Sequence, residues 1–227
     1  MTDWWLSHIK PKDVVVDIGA NVGETSKAFL DIVGPRPGEV YAIEPAPECY
    51  KQLISLADVR DNFFTYQLAI GDFCGTKRVF HYRHWTLLPK DENDPRYLAR
   101  DYHDGQDQSL KGEFTAQYIT LDTLMWLLPG KSADVIKIDV DGAAYSVING
   151  GRGYLGMRNG TKLILELGCE QPEQPSARQT LGLLEMLGYK FLLEGGEASE
   201  QEITSKLHTD QTIDIVCLPK ARVYARC

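Results

Sequence analysis

One stretch limits what this chain can become: Val14-Val15-Val16-Asp17-Ile18-Gly19-Ala20-Asn21-Val22-Gly23-Glu24-Thr25. It opens on β-branched residues, the composition of a strand buried on both faces of a parallel sheet. It breaks into glycines and passes into a helical pattern. Phe29, Ile32 and Val33 recur at i, i+3, i+4, and Gly34 is placed to end the helix. A strand, a glycine turn and a helix N-terminus together form a site for a nucleotide-like ligand. Small residues admit close backbone approach, and the helix end presents N–H groups with no partner.

The dinucleotide fingerprint needs G-x-G-x-x-G, whereas the small residues here run Gly19, Asn21, Gly23, with Asp17 placed before them. That acid repels a pyrophosphate and suits an amine-bearing ligand. A second strand, Val40-Tyr41-Ala42-Ile43, ends at Glu44, where a carboxylate can take both ribose hydroxyls. S-adenosyl-L-methionine, an amino acid joined to an adenosine, fits both acids. A nicotinamide dinucleotide fits only the second.

Five ordered motifs now stand out: D-I-G-A-N-V-G from Asp17, A-I-E-P from Ala42, I-T-L-D-T-L from Ile119, V-I-K-I-D-V-D-G from Val135 and L-I-L-E-L from Leu163. In this order they resemble the FkbM family of S-adenosylmethionine-dependent methyltransferases. The resemblance covers most of the chain and implies a class I methyltransferase fold. That fold is α/β, a Rossmann-like doubly wound sheet, mostly parallel with the last strand antiparallel. It also implies O-methylation of a small hydroxylated acceptor, a sugar or glycan hydroxyl above all. One departure is visible. The family usually reads D-V-E-G-A-E, and this chain has Asp139-Val140-Asp141-Gly142-Ala143-Ala144, with one acid shortened and the second missing. That change motivates a rival reading, a donor-binding sensor or scaffold without turnover.

A chain of 227 residues is long enough for one well-buried α/β domain and short for two, so residues 1–227 are read as a single domain. A net charge of −8 argues against a broad nucleic-acid footprint, which needs clustered cations. Met1-Thr2-Asp3-Trp4-Trp5 lacks a signal peptide's basic start, and no apolar run approaches the ~20 residues of a membrane span. The five cysteines, Cys49, Cys74, Cys169, Cys217 and Cys227, are odd in number and lack C-x-x-C spacing. They read as reduced thiols in a cytoplasmic setting.

Along the chain, Asp3 or Thr2 is expected to cap a short helix, Trp4 to Ile9, whose tryptophans flank the site or seal the sheet edge. Pro47 opens a helix with Tyr50, Leu53 and Ile54 on its apolar face. Strands are expected near 63–69, 77–84, 135–140, 163–167, 189–193 and 213–218, and helices over 120–126, 143–148 and 176–187. Gly150-Gly151 ends the second of these helices, and a Ser176-x-x-Gln179 capping box opens the third. The stretch from Trp85 to Gly112 is irregular and reads as a substrate loop or lid. Residues 113–119 carry no assignment.

Asp17, Gly19, Ala20, Asn21 and Gly23 are expected to cradle the methionine end, with Thr25 or Ser26 near its carboxylate. Glu44 holds the ribose, and Ala69 with Ile70 borders adenine. Asp72 either accepts from the adenine amine or forms an ordinary Gly71-Asp72 turn. Lys137, Asp139 and Asp141 alternate, so they share a strand face. Asp139 is the expected general base. Lys137 either pairs with Glu166 on the next strand, because a lone buried ammonium is expensive, or orients the substrate in catalysis. Asp139 with Asp141 offers oxygen ligands suited to Mg2+, but no third ligand stands out, and metal-free transfer is favoured. His81, His84 and His103 lack zinc spacing. Of the three, His103, flanked by Tyr102 and Asp104, is the one placed to act as a base from the loop.

Overall fold

Runs of valine and isoleucine lie at the centre of the molecule because only strands with neighbours on both sides bury both faces. The computed structural model describes residues 3–82, 86–87, 110–128, 132–140, 142–157, 160–168, 177–207 and 212–220. After a 3-10 turn, Trp4–His8, the chain forms β1 (Val14–Ile18), α1 (Glu24–Val33), β2 (Glu39–Ile43), α2 (Pro47–Ala57) and β3 (Phe63–Tyr66). Next come β4 (Ala69–Gly71), β5 (Gly75–Tyr82), β6 (Thr86–Leu87), β7 (Leu110–Thr120) and α3 (Leu121–Leu127). The second half holds β8 (Val135–Ile138), α4 (Ala144–Asn149), α5 (Arg152–Met157), β9 (Lys162–Gly168) and α6 (Ala177–Met186). It closes with β10 (Tyr189–Leu193), β11 (Gly196–Ala198), α7 (Glu200–Leu207) and β12 (Thr212–Pro219).

Eight strands make the main sheet in the order β11-β10-β12-β9-β8-β1-β2-β3. The run β9-β8-β1-β2-β3 is parallel throughout. The last strand, β12, is antiparallel to both of its neighbours. Every residue of β1, β2 and β8 is buried. One face of the sheet (Val15, Val40, Val135, Ile164, Val216) packs on Trp5 and Ile9, on Phe29, Leu30 and Val33 of α1, and on Leu53 of α2. The other face (Val16, Ile18, Ile43, Ile136, Leu165) packs on the helices of the second half, among them Leu124, Val147 and Leu181. Helices on both faces of a mostly parallel sheet give the doubly wound class.

A second sheet, β4-β7-β5-β6, departs from the sequence reading. The strand expected over 63–69 breaks after Tyr66, and Ala69–Gly71 pairs with Tyr118, Ile119 and Thr120 instead. The long β7 has no counterpart in the sequence reading, and its pairing with β5 runs as far as Leu110. The irregular stretch therefore loses Thr86, Leu87 and 110–112 to strands, and its remainder, 85 and 88–109, lies outside the described residues. Gly150 caps the end of α4, as the sequence reading has it, and a further short helix, α5, starts directly after Gly151. The hairpin strand β11 forms the far edge of the sheet, and helix α7 packs Ile203 and Leu207 into the core. Ser176 of the capping box lies outside the described residues. Asp3 sits at the N-cap of the leading turn, yet its side chain makes no capping bond. On α2 the buried residues are Cys49 and Leu53, while Ile54 is 41% exposed.

Candidate active site

The C-terminal ends of β1, β2 and β8 converge, and the turn after β1 binds the first two together. Gly19 and Ala20 N–H both donate to the Ile43 carbonyl, at 3.0 and 3.1 Å, and Gly23 N–H donates to Ala20 O at 2.9 Å. Three residues of this turn have positive φ: Gly19, Asn21 at φ +50° and Gly23 at φ +87°. Gly19, at φ +84°, is required by a strand contact: a Cβ there would stand 1.9 Å from the Asp139 carbonyl oxygen. The close approach at Gly19 is thus to Asp139, the residue that follows β8.

Glu44 comes directly after the last residue of β2 and is 5% exposed. Its Oε2 accepts from Asn21 N–H at 2.9 Å and its Oε1 from Ala46 N–H at 2.8 Å. The carboxylate therefore clamps the glycine turn to the start of α2, at the open end of the sheet. Beside it, Gly23 caps α1 without any side-chain hydrogen bond. The first-turn N–H groups of α1, from Glu24 and half-buried Thr25 onward, face the same turn. Asn21 is exposed and Ala20 is buried.

Asp17 and Glu44 lie on neighbouring strands at one edge, but at different depths. Asp17 is fully buried. Its Oδ2 accepts from Ser26 Oγ at 2.6 Å, tying β1 to α1, and its Oδ1 has no hydrogen-bond partner. Asp17 therefore does not line the open surface, where the sequence reading has it meet the methionine amine. Burial drives its pKa up, Lys137 and Ser26 draw it down, and Asp139 adds to the rise.

Lys137 stands beside Asp17 in register and is 3% exposed. Its Nζ bonds Asp139 Oδ2 at 2.5 Å, and the Asp139 side chain remains 34% exposed. The direct partner is thus Asp139, two residues along the same strand face, and Glu166 acts at longer range. Burial works against the ammonium, but Asp17, Asp139 and Glu166 more than offset it, and the pKa of Lys137 rises. Asp214, opposite Glu166 on β12, extends this charged row. Its pKa is pushed up by burial first, then by Asp139 and Asp3, against the pull of Trp5 and Lys137. The enclosed Trp5 Nε1–H faces Asp214 without closing a hydrogen bond. Trp5 itself packs edge-on to Phe29, 6.0 Å between centroids, so it seals the sheet.

The adenine residues fall elsewhere. Ala69 packs with Val79, Ala116 and Tyr118, and Ile70 enters the main core, because β4 turns to pair with β7. Asp72, just past β4, is exposed. Next to Glu44 the end of β3 instead brings Tyr66, Gln67 and Leu68: Tyr66 O accepts from Glu44 N–H at 3.1 Å, and Gln67 is exposed. Sequence reasoning misses Gln67, although a polar residue directly past an aromatic strand is the available signal. His103 and Asp141 lie outside the described residues. Among the described residues, no three His, Cys, Asp or Glu side chains gather as a metal site.

A family model described as the methyltransferase FkbM domain matches residues 17–191. The chain belongs to the FkbM methyltransferase family. An FkbM methyltransferase from Methylobacillus flagellatus KT superposes with a TM-score of 0.52 at 15% identity, covering 90% of this chain and 43% of that one. This chain thus spans less than half the length of that family member. A precorrin-6y C5,15-methyltransferase from Geobacter metallireducens GS-15 gives 0.52 at 12% identity, covering 95% and 85%. At these identities the likeness is one of fold, and it places this family member's main sheet in the class I methyltransferase architecture. Among curated proteins, none matches the sequence. Among the described residues, no helix is long and apolar enough to cross a membrane.

Proposed function

We propose that the chain is an S-adenosylmethionine-dependent O-methyltransferase acting on a small hydroxylated acceptor, a sugar or glycan hydroxyl. One observation carries the reading. A clamped carboxylate, a helix N-terminus without a side-chain cap and a partly open second carboxylate meet at one end of a parallel sheet. In open α/β sheets ligands bind outside the carboxyl ends of the strands.

The residues fit the donor. The N–H groups opening α1 suit a carboxylate, because the helix dipole favours negative charge there. Glu44, held in place by the Asn21 and Ala46 N–H groups, is the charged acceptor that stands where the ribose hydroxyls would lie. Gln67 stands beside it where the base would lie. Bound S-adenosylmethionine supplies a methyl group on a positively charged sulfur. Asp139 then takes the proton from the acceptor hydroxyl through the oxygen that Lys137 does not hold. Alignment of donor and acceptor supplies roughly 7–11 kcal/mol. A general base adds ~10²–10⁴-fold. The cradle therefore matters more than the base unless the acceptor is a weakly acidic sugar hydroxyl.

Two measurements test this: titration calorimetry with S-adenosylhomocysteine, and transfer of labelled methyl from S-adenosylmethionine across a panel of mono- and oligosaccharides. Micromolar binding, transfer to at least one sugar and loss of that transfer in Asp139→Asn are expected. Tight binding with no transfer to any sugar replaces the proposal with a donor-binding protein without turnover. Ala144 in place of the family's second acid is the observation that favours this rival.

A further inference from the structure

Four acidic side chains and one lysine line up on a single face of the main sheet: Asp17 on β1, Lys137 on β8 with Asp139 directly after it, Glu166 on β9 and Asp214 on β12. The pairings Asp17↔Lys137 and Glu166↔Asp214 place neighbours side by side, and alternation puts Lys137 and Asp139 on the same side. Only one member of this row is fully enclosed without a complete set of partners. Asp17 has no exposure, a single bond from Ser26 Oγ and a bare Oδ1.

A buried carboxylate in that state is costly unless a cation lies near it, and a buried ammonium likewise. Lys137 is that cation, and its other side is taken by Asp139 at 2.5 Å. The ammonium thus stands between an interior carboxylate and one that reaches the cleft. We propose that Asp17 is a positioning residue, the interior counter-charge that holds the Lys137 ammonium against Asp139, and that it makes no contact with the methyl donor. Asp17 acts through the field across two paired strands, since Lys137 Nζ hydrogen-bonds Asp139. Its bond to Ser26 ties the same charge to the first turn of α1. This inference rests on the reading of Asp139 as the base. It gives the enclosed acid of the D-I-G-A-N-V-G stretch an acceptor-side task.

The test separates the two ends of the site. Asp17→Asn keeps the volume and an acceptor for Ser26 Oγ while deleting the charge. Its affinity for S-adenosylhomocysteine should stay within about twofold of wild type, the scatter expected of independent sites. In the same ligand-free variant, the Lys137 ammonium, monitored by NMR of labelled lysine side chains, should hold its proton about tenfold less tightly, or weaker still. Glu166 and Asp214 remain in both proteins, so the difference reports Asp17 alone. Loss of S-adenosylhomocysteine binding with the lysine titration unmoved overturns the proposal and makes Asp17 a donor ligand. Should the single variant fail to fold, the double variant Asp17→Asn/Lys137→Met decides, because it removes both buried charges together. Folding with retained S-adenosylhomocysteine affinity supports the pairing, and a double variant that neither folds nor binds overturns it. The base reading fails separately, if Asp139→Asn leaves methyl transfer to the sugar panel intact.

Discussion

Replacing Glu44 by alanine should damage the fold before it damages chemistry. Its two oxygens accept backbone N–H groups from Asn21 and Ala46 at 2.9 and 2.8 Å, and the residue is 5% exposed. Hydrogen bonds to a charged group contribute roughly 1.5–3 kcal/mol each, so losing both removes about 3–6 kcal/mol. Water entering at the cleft edge recovers part of this, which points to about 3 kcal/mol. That is a large share of a total stability on the order of 5–15 kcal/mol. With a urea dependence near ~3 kcal/mol/M, the unfolding midpoint should fall by about 1 M. Glu44→Gln retains one acceptor and should lose about half as much. In whichever variant stays folded, S-adenosylhomocysteine affinity should drop roughly 30- to 150-fold, because the ribose hydroxyls lose a charged acceptor as well. An unchanged urea midpoint in Glu44→Ala refutes the clamp. A lowered midpoint with unchanged ligand affinity leaves the clamp standing and removes the ribose assignment.

Gly19→Ala should destabilise more than Gly34→Ala in urea titrations, although both glycines have positive φ. At Gly19 the new Cβ meets the Asp139 carbonyl at 1.9 Å, adding about 1–3 kcal/mol of overpacking to about 1–2 kcal/mol of left-handed strain. At Gly34, φ +72°, nothing lies within 4 Å and only the strain remains. Thr120→Ala removes the cap on α3, where the hydroxyl accepts from Thr123 N–H at 3.1 Å, and should lower stability by about 0.5–2 kcal/mol in a thermal melt. Alkaline titration should reveal the phenols of Tyr41, Tyr118 and Tyr189. Burial pushes each above the usual value near 10, and Glu39 adds to the rise at Tyr41. The folded state keeps protons that the unfolded chain gives up, so stability is full below pH ~10 and is lost as pH rises beyond it. Phenolate absorbance should show these three ionising only with unfolding, and early ionisation of all eleven tyrosines contradicts the burial.

The parallel centre was legible because full burial leaves a plain mark: Val14–Ile18 and Val135–Ile138 are nearly unbroken apolar runs. The second sheet left a fainter one. In β7, Phe114, Ala116 and Tyr118 turn inward while Glu113, Thr115 and Gln117 face out, a period of two that the sequence carries openly. Adjoining a long irregular segment hid it. The turn of the chain from β3 into β4 had no comparable sign, since Gln67-Leu68 interrupts neither hydropathy nor strand propensity strongly. The adenine-side residues were displaced by that one break, because Ala69 and Ile70 became the filling of two cores.

The two acids of the site show a deeper reason for what sequence leaves open. Asp17 and Glu44 carry the same signature, a carboxylate where a β-branched strand meets a turn. Their difference is one of register. Asp17 still lies inside the ladder, flanked by Ala42 and Lys137, with Ile18 paired beyond it. Glu44 lies one residue past the last pair of β1 with β2, at Ile43. A side chain within a central ladder must find its partner in the protein, and Asp17 has Ser26 and the field of Lys137. A side chain past the ladder can order the turn and still face the cleft, as Glu44 does. Hydropathy alone fixes a strand's end only to within a few residues. One residue of error is enough to exchange an enclosed carboxylate for one at the cleft, and the strand pairing is what separates them.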